Sequence, residues 1–215
     1  MDVPEGFNPT LTLVLNLAGT FVFGLSGGLA AVRSRLDMVG IVVLSAMVGL
    51  AGGIIRDLLI GTPPATFRDW RYLAATGLAA LVCFVAGHRL VRFESRITVV
   101  DALGLGLFAV TGATKAVAFG LGPLQAILLG TITGVGGGMV RDILMAQVPG
   151  VLREGLYAIP AMLGASVLVV AQLLGGTGPA FPVLGVVVCV VVRLLGVRFD
   201  LNVPSARGRR RGNNG

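Results

Sequence analysis

This chain of 215 residues carries little charge: Asp, Glu, Lys and Arg together make up 13% of it, about half the share found in an ordinary soluble domain. With 55% hydrophobic residues and a mean hydropathy of +0.91, that scarcity excludes a soluble globular fold and points to an integral membrane protein. Histidine is almost missing; His88 stands alone beside Arg89 at the end of an apolar run and reads as packing at an interface rather than as a ligand. Cys83 and Cys189 both lie in apolar runs, where cysteine packs as a small hydrophobe instead of forming a disulfide or a metal site. No combination of His, Cys, Ser and carboxylate residues makes a recognisable catalytic set, and Gly134-xxx-Gly138 lacks the Gly-Lys-Ser/Thr ending of a P-loop, so neither an enzyme nor a cofactor is expected. Aromatic residues are only 6%, and the net charge of +7 is not laid out as a basic face interleaved with aromatics, which excludes nucleic acid as a partner.

What the chain does have is one stretch written twice. Gly49-Leu50-Ala51-Gly52-Gly53-Ile54-Ile55-Arg56-Asp57 returns as Gly134-Val135-Gly136-Gly137-Gly138-Met139-Val140-Arg141-Asp142, at a constant offset of 141 − 56 = 85. The register extends without a gap from Gly19 and Gly104 through Phe23 and Phe108, Gly27 and Gly112, Leu44 and Leu129, Pro64 and Pro149, and Arg68 and Arg153, to Tyr72 and Tyr157. An internal duplication accounts for all of these matches together.

Taking about 20 residues as a membrane span, the apolar runs predict seven helices, near 11–32, 38–60, 72–87, 97–119, 121–146, 156–174 and 182–197. The first three form one repeat (11–87) and the next three a second (96–174), with 182–197 as an unmatched seventh helix and 198–215 as a basic tail, all in one membrane domain. Three crossings per repeat is an odd number, so the second copy enters the membrane in the opposite direction: the repeats are inverted. Residues 1–10 carry Asp2 and Glu5 but no basic residue, unlike a signal peptide, so the first apolar run is expected to be kept. Basic residues in short loops favour the cytoplasmic side. With the N-terminus outside, Arg33, Arg35, Arg89, Arg92, Arg96, Arg153, Arg198, Arg207, Arg209, Arg210 and Arg211 fall inside, against Arg68 and Arg71 outside. The C-terminus is therefore expected in the cytoplasm, its tail solvated or held near anionic lipid.

The glycines lie deep. Gly52 comes 52 − 38 = 14 residues after Met38, about 21 Å along a helix at 1.5 Å per residue. Glycines four apart let helices approach closely, and Gly49-xxx-Gly53 and Gly134-xxx-Gly138 fit that use. The runs Gly52-Gly53 and Gly136-Gly137-Gly138 exceed it and suit helices that kink or break, freeing carbonyls that could coordinate Na+ or K+ in passing; no other metal site is expected.

Charged residues inside a membrane need partners. Neighbours on a helix point about 100° apart, so Arg56 and Asp57 are expected to pair elsewhere: Asp57 with Lys115, Arg141 with Asp101, and Arg56 with Asn16 as the repeat-related version. Asp142 joins this set by its place in the motif. Lys115 breaks the repeat, because its counterpart is Ala30. It lies close to Thr111 and Thr114, and Ser26 is the counterpart of Thr111, which suggests a hydroxyl-lined path with one lysine as a gate.

Taken together, Gly-Gly-Ile-Ile-Arg-Asp at 52–57, Gly-Gly-Gly-Met-Val-Arg-Asp at 136–142, Gly112-Ala113-Thr114-Lys115-Ala116 and the ending from Arg193 to Pro204 resemble the prokaryotic members of the trimeric intracellular cation channel family, TRIC. The resemblance covers nearly the whole chain. It implies a homotrimer in the bacterial inner membrane, in contact with membrane lipids, each subunit having its own pore for potassium and also sodium between second and fifth helices kinked at their glycines. Lys115 matches the pore-side lysine of the fourth helix. Animal members have a Lys-Glu-Val sequence there, linked to a phosphoinositide, from which Lys115-Ala116-Val117 departs. The same bacterial family is also labelled as glycine transporters, so a carrier for a small amino acid stands beside the channel.

Overall fold

The computed structural model describes residues 9–91, 94–153, 156–176 and 178–201, so that most of the predicted tail lies outside the described residues. All seven predicted segments are helical: α1 Pro9–Arg33, α2 Met38–Ile60, α3 Trp70–Val91, α4 Glu94–Ala118, α5 Pro123–Leu144, α6 Ala158–Leu173 and α7 Ala180–Arg198. Six are long and apolar enough to cross a membrane, while α6, at 16 residues, spans about 24 Å at 1.5 Å per residue.

The duplication is visible in the backbone. α4 begins and ends 85 residues after α1 (94 − 9 and 118 − 33). A 3-10 turn, Ala65–Phe67, follows α2, and a one-turn helix, Gly150–Arg153, follows α5 at the same offset. Chain reversals match as well: Arg35 and Gly120 have φ of 57° and 78°, and Gly61 and Ala146 have φ of 81° and 53°. Glycine adopts this left-handed backbone freely, whereas Arg35 and Ala146 do so at a cost of about 1–2 kcal/mol each. Tertiary packing, not local preference, holds the turn in the copy that lacks glycine.

α1 packs on α2, α3 and α4; α4 packs on α5, α6 and α1; α2 meets α5; and α7 lies against α4 and α6. Two apolar clusters repeat the pattern. Ala31, Ile41, Leu44, Ala80 and Cys83 join α1, α2 and α3, and their counterparts Ala116, Ala126, Leu129, Ala165 and Leu168 join α4, α5 and α6. Cys83 thus takes a leucine's place in the core, as its apolar surroundings predict.

The polarity is inside out for a protein in water. Arg56 and Asp57 are 2% and 1% exposed, while Val85 is 76% and Leu128 60% exposed. Hydrocarbon solvates the leucines and valines; the charges, which it would penalise, turn to the centre of the bundle. That centre is the axis shared by α1, α2, α4 and α5.

Candidate functional site

Two charged clusters stand on this axis. At one end Arg56 Nη1 donates to Asn16 Oδ1 at 2.7 Å, and Lys115 Nζ donates to Asp57 Oδ1, also at 2.7 Å. At the other, Arg141 Nη1 donates to Asp101 Oδ1 at 2.5 Å and to Ser26 Oγ at 2.7 Å. All three contacts expected across the repeat are present. They also fix the sense of the helices. The start of α1 meets the end of α4, and Ser26, late in α1, meets the residues near Asp101 early in α4, so the two helices run antiparallel as inverted repeats require. Asn16 and Ser26 are 26 − 16 = 10 residues apart, which separates the clusters by about 15 Å along α1.

One expectation is corrected. The adjacent residues do pair: Arg56 Nε lies 2.7 Å from Asp57 Oδ1, and Arg141 Nε and Nη2 lie 3.0 and 2.9 Å from Asp142 Oδ1. The 100° between neighbouring Cβ directions does not prevent it, because the long arginine side chain bends back over the short carboxylate. Each aspartate has a further task. Asp57 Oδ2 accepts from Ala65 N at 2.9 Å and Asp142 Oδ2 from Gly150 N at 2.7 Å, fastening the start of the following turn to the end of α2 or α5. Sequence spacing hides this role, since a loop of unknown path separates the partners.

The glycines correct a second expectation. α2 and α5 run as uninterrupted α-helices through Gly52-Gly53 and Gly136-Gly137-Gly138. Their carbonyls are engaged within the helix rather than freed at a break for Na+ or K+. The glycines serve close approach instead. A Cβ at Gly52 would collide with the Thr133 carbonyl and the Phe108 ring; one at Gly137 would press on the Val48 carbonyl and the Phe23 ring, the same contacts in the other repeat. At Gly136 it would come 3.2 Å from the Gly52 Cα, and at Gly138 it would strike the Tyr157 hydroxyl. Only Gly53 has room, with nothing nearer than Arg56 Nη2 at 3.9 Å.

Between the charged ends the axis is apolar and shut. Phe23, Val48 and Phe108 form a fully buried cluster. Of the hydroxyl residues, Ser26 joins the Arg141 end, whereas Thr111 and Thr114 donate to Phe108 O at 3.4 Å and Val110 O at 2.8 Å in their own helix. They do not line a continuous polar track.

At the Arg141 end lie two adjoining cavities. One of about 340 Å³ is lined by Ala30, Arg33, Ser34, Thr98, Asp101, Arg141, Asp142 and Arg193 among others; the second, about 490 Å³, adds Arg153 and Tyr157. Arg193 of α7 donates to Leu156 O at 3.1 Å and lies over the Tyr157 ring, 4.5 Å from its centre. Arg193 and Tyr157 escape sequence reasoning as site residues because α7 has no counterpart to compare with, and the tyrosine signals only membership of the repeat. Among the described residues no three His, Cys, Asp or Glu side chains gather as a metal site.

The two ends differ in charge. Arg56 and Lys115 against Asp57 leave +1; Arg141 against Asp101 and Asp142 leaves −1.

Comparison with known proteins agrees with this architecture. A family model described as "Glycine transporter" matches residues 13–88 and again 98–172, once per repeat. A UPF0126 membrane protein of Streptomyces coelicolor is 48% identical over 198 residues, covering 91% of each chain. The UPF0126 inner membrane protein YadS of Escherichia coli is 33% identical over 196 residues, 89% of this chain and 94% of the other. A solved structure described as the TRIC trimeric intracellular cation channel orthologue from Rhodobacter sphaeroides superposes with a TM-score of 0.83 at 35% identity, covering 89% of this chain and all of that one. A second, from work on conductance through TRIC cation channels, gives 0.81 at 32% identity, covering 90% and 96%. Like them, this chain is a multi-pass membrane protein and not an enzyme.

Proposed function

The chain belongs to the prokaryotic TRIC channel family, and on that premise we propose that it provides a passive path for monovalent cations, potassium foremost and sodium as well, along the axis of α1, α2, α4 and α5. One observation carries this reading: two buried charged clusters, related by the duplication, cap opposite ends of a single axis with an apolar constriction between them. Buried ionisable residues in a membrane bundle mark ion paths, and apolar constrictions gate by excluding water. Lys115, the only lysine of the chain, is the candidate gate at the Arg56 end, where its ammonium repels cations unless it moves away from the axis with Asp57.

Gly52, Gly53, Gly136, Gly137 and Gly138 set the distance between the helices in this reading, and Ser26, Thr111 and Thr114 flank the constriction. Asn16, Arg56, Asp57, Asp101, Arg141 and Asp142 are the structural or gating charges. The assembly is a homotrimer embedded in lipid, as described for the Rhodobacter protein, with one pathway per subunit. The Arg141 end faces the cytoplasm, because the basic loops lie on that side. Recording from purified protein in planar bilayers under a potassium gradient tests the proposal. Discrete cation-selective steps are expected, and their absence rejects it.

One observation favours a carrier as the second reading: the cavities at the Arg141 end present both guanidinium groups and carboxylates, as a zwitterion such as glycine requires, and the matching family model is described as a glycine transporter. Glycine uptake into proteoliposomes without ionic current supports the carrier over the channel.

A further inference from the structure

Two positions break the likeness of the charged ends in the same direction. Beside Asp57, space is filled by Lys115, whose ammonium lies 2.7 Å from the carboxylate and 5.8 Å from the centre of the Phe119 ring. The counterparts of Lys115 and Phe119 are Ala30 and Ser34. These small residues line the 340 Å³ cavity together with Asp101, Arg141 and Asp142. The same end also gains a carboxylate, since Asp101 stands where the other end has Asn16. An ammonium is lost and an anion added at the very place where side-chain volume is missing.

A third observation comes from a different element. The Tyr157 hydroxyl belongs to a residue only 2% exposed, has no hydrogen-bond partner among the described residues, and borders the adjoining cavity with Arg141 and Asp142. It sits close to Asp101: a Cβ at Gly138 would strike this hydroxyl and lie 3.6 Å from Asp101 Oδ1. Buried hydroxyls normally have a partner.

We propose that Asp101 and Asp142 hold a monovalent cation in this cavity, at the place related by the duplication to the Lys115 ammonium, with the Tyr157 hydroxyl oxygen as a further ligand. The inference rests on the cation-path reading and gives it a binding position. A single charge fits better than a divalent ion, because Arg141 already balances one of the two carboxylates. Arg33 and Arg193 also line the cavity and oppose the cation. Binding is therefore weak, which conduction requires, since an ion held tightly does not leave.

The test uses the purified full-length protein. Thermal unfolding is followed in potassium chloride and in N-methyl-D-glucamine chloride at equal ionic strength, so that screening is the same in both. A ligand that binds the folded state raises the midpoint in a saturable way, here by a few degrees for the wild type. Asp101→Asn is expected to abolish the rise. Ala30→Lys, which tethers an ammonium at the carboxylates, is expected to raise the midpoint in N-methyl-D-glucamine and to remove the response to potassium. A wild type indifferent to potassium, or an Ala30→Lys protein that keeps the full response, overturns the site, and the lysine variant decides alone if Asp101→Asn does not fold. Bilayer recordings from the same preparation separate the two readings. Current without potassium stabilisation removes the site and leaves the channel; stabilisation that Ala30→Lys cancels, without any current, removes the channel and leaves the site.

Discussion

The rings of Phe23 and Phe108, the same position in the two repeats, meet with centroids 5.3 Å apart and planes tilted by 55°. Each rests on glycines of the opposite repeat: Phe23 against Gly104 and Gly137, Phe108 against Gly19 and Gly52. Such tilted pairs are favourable beyond the area they bury. The contact lies between the charged ends, so the element that closes the axis is also the one that joins the repeats.

Replacing Phe108 by alanine is expected to lower stability by about 3–5 kcal/mol and to raise basal potassium leak, with Phe23→Ala behaving alike. Leak is measured as potassium efflux from loaded liposomes. Unchanged leak in folded variants would show that the ring pair is not the constriction.

The two glycines of the α2 motif are expected to part company. Gly53→Ala meets open space and is neutral or stabilising by up to about 1 kcal/mol, the helix preference of alanine over glycine. Gly52→Ala collides with backbone of α5 and lowers the unfolding midpoint markedly. Were Gly53→Ala to fold normally yet lose conduction, a bend at that residue would have to be part of the mechanism.

The opposite charges of the ends predict a crossed pattern. Asp57→Asn leaves Arg56 and Lys115 buried together with no anion between them, whereas Asp142→Asn leaves Arg141 still paired with Asp101. For arginine the order reverses: Arg141→Met leaves two carboxylates, and Arg56→Met leaves the Asp57–Lys115 pair. The variants with uncompensated charge are expected to lose about 3–5 kcal/mol, and their counterparts clearly less, by thermal unfolding in one detergent. Equal losses within each pair would remove the charge accounting.

Topology follows from the arginine distribution. A fluorescent protein fused to the C-terminus is expected to mature and fluoresce, as it does in the cytoplasm, and alkaline phosphatase fused there to stay inactive; the opposite result inverts the assignment of the two ends.

Much of the site was legible in the sequence because the duplication acts as an internal alignment. Asn16 and Asp101 share an offset with Arg56 and Arg141, and partners placed by the same inversion must meet in the same way. What stayed hidden depends on reach and shape. An arginine long enough to fold back on its neighbour looks, by helical angle, as if it points away. A glycine that makes room for a phenylalanine is written like one that bends a helix. The cavity beside Ala30 needed the position of Lys115 in three dimensions before its meaning appeared.

The amino-acid sequence alone determined the membrane as solvent, seven helices, two inverted repeats and the pairing of charges across them, since all of these follow from apolar length, an odd number of crossings and the cost of a bare charge in hydrocarbon. Tertiary structure decided the rest: that α2 and α5 stay continuous, that Phe23 and Phe108 close the axis, and that the ends carry opposite charge around a filled and an open volume. Those outcomes depend on which side chains share one space, and packing of elements distant in the chain sets that.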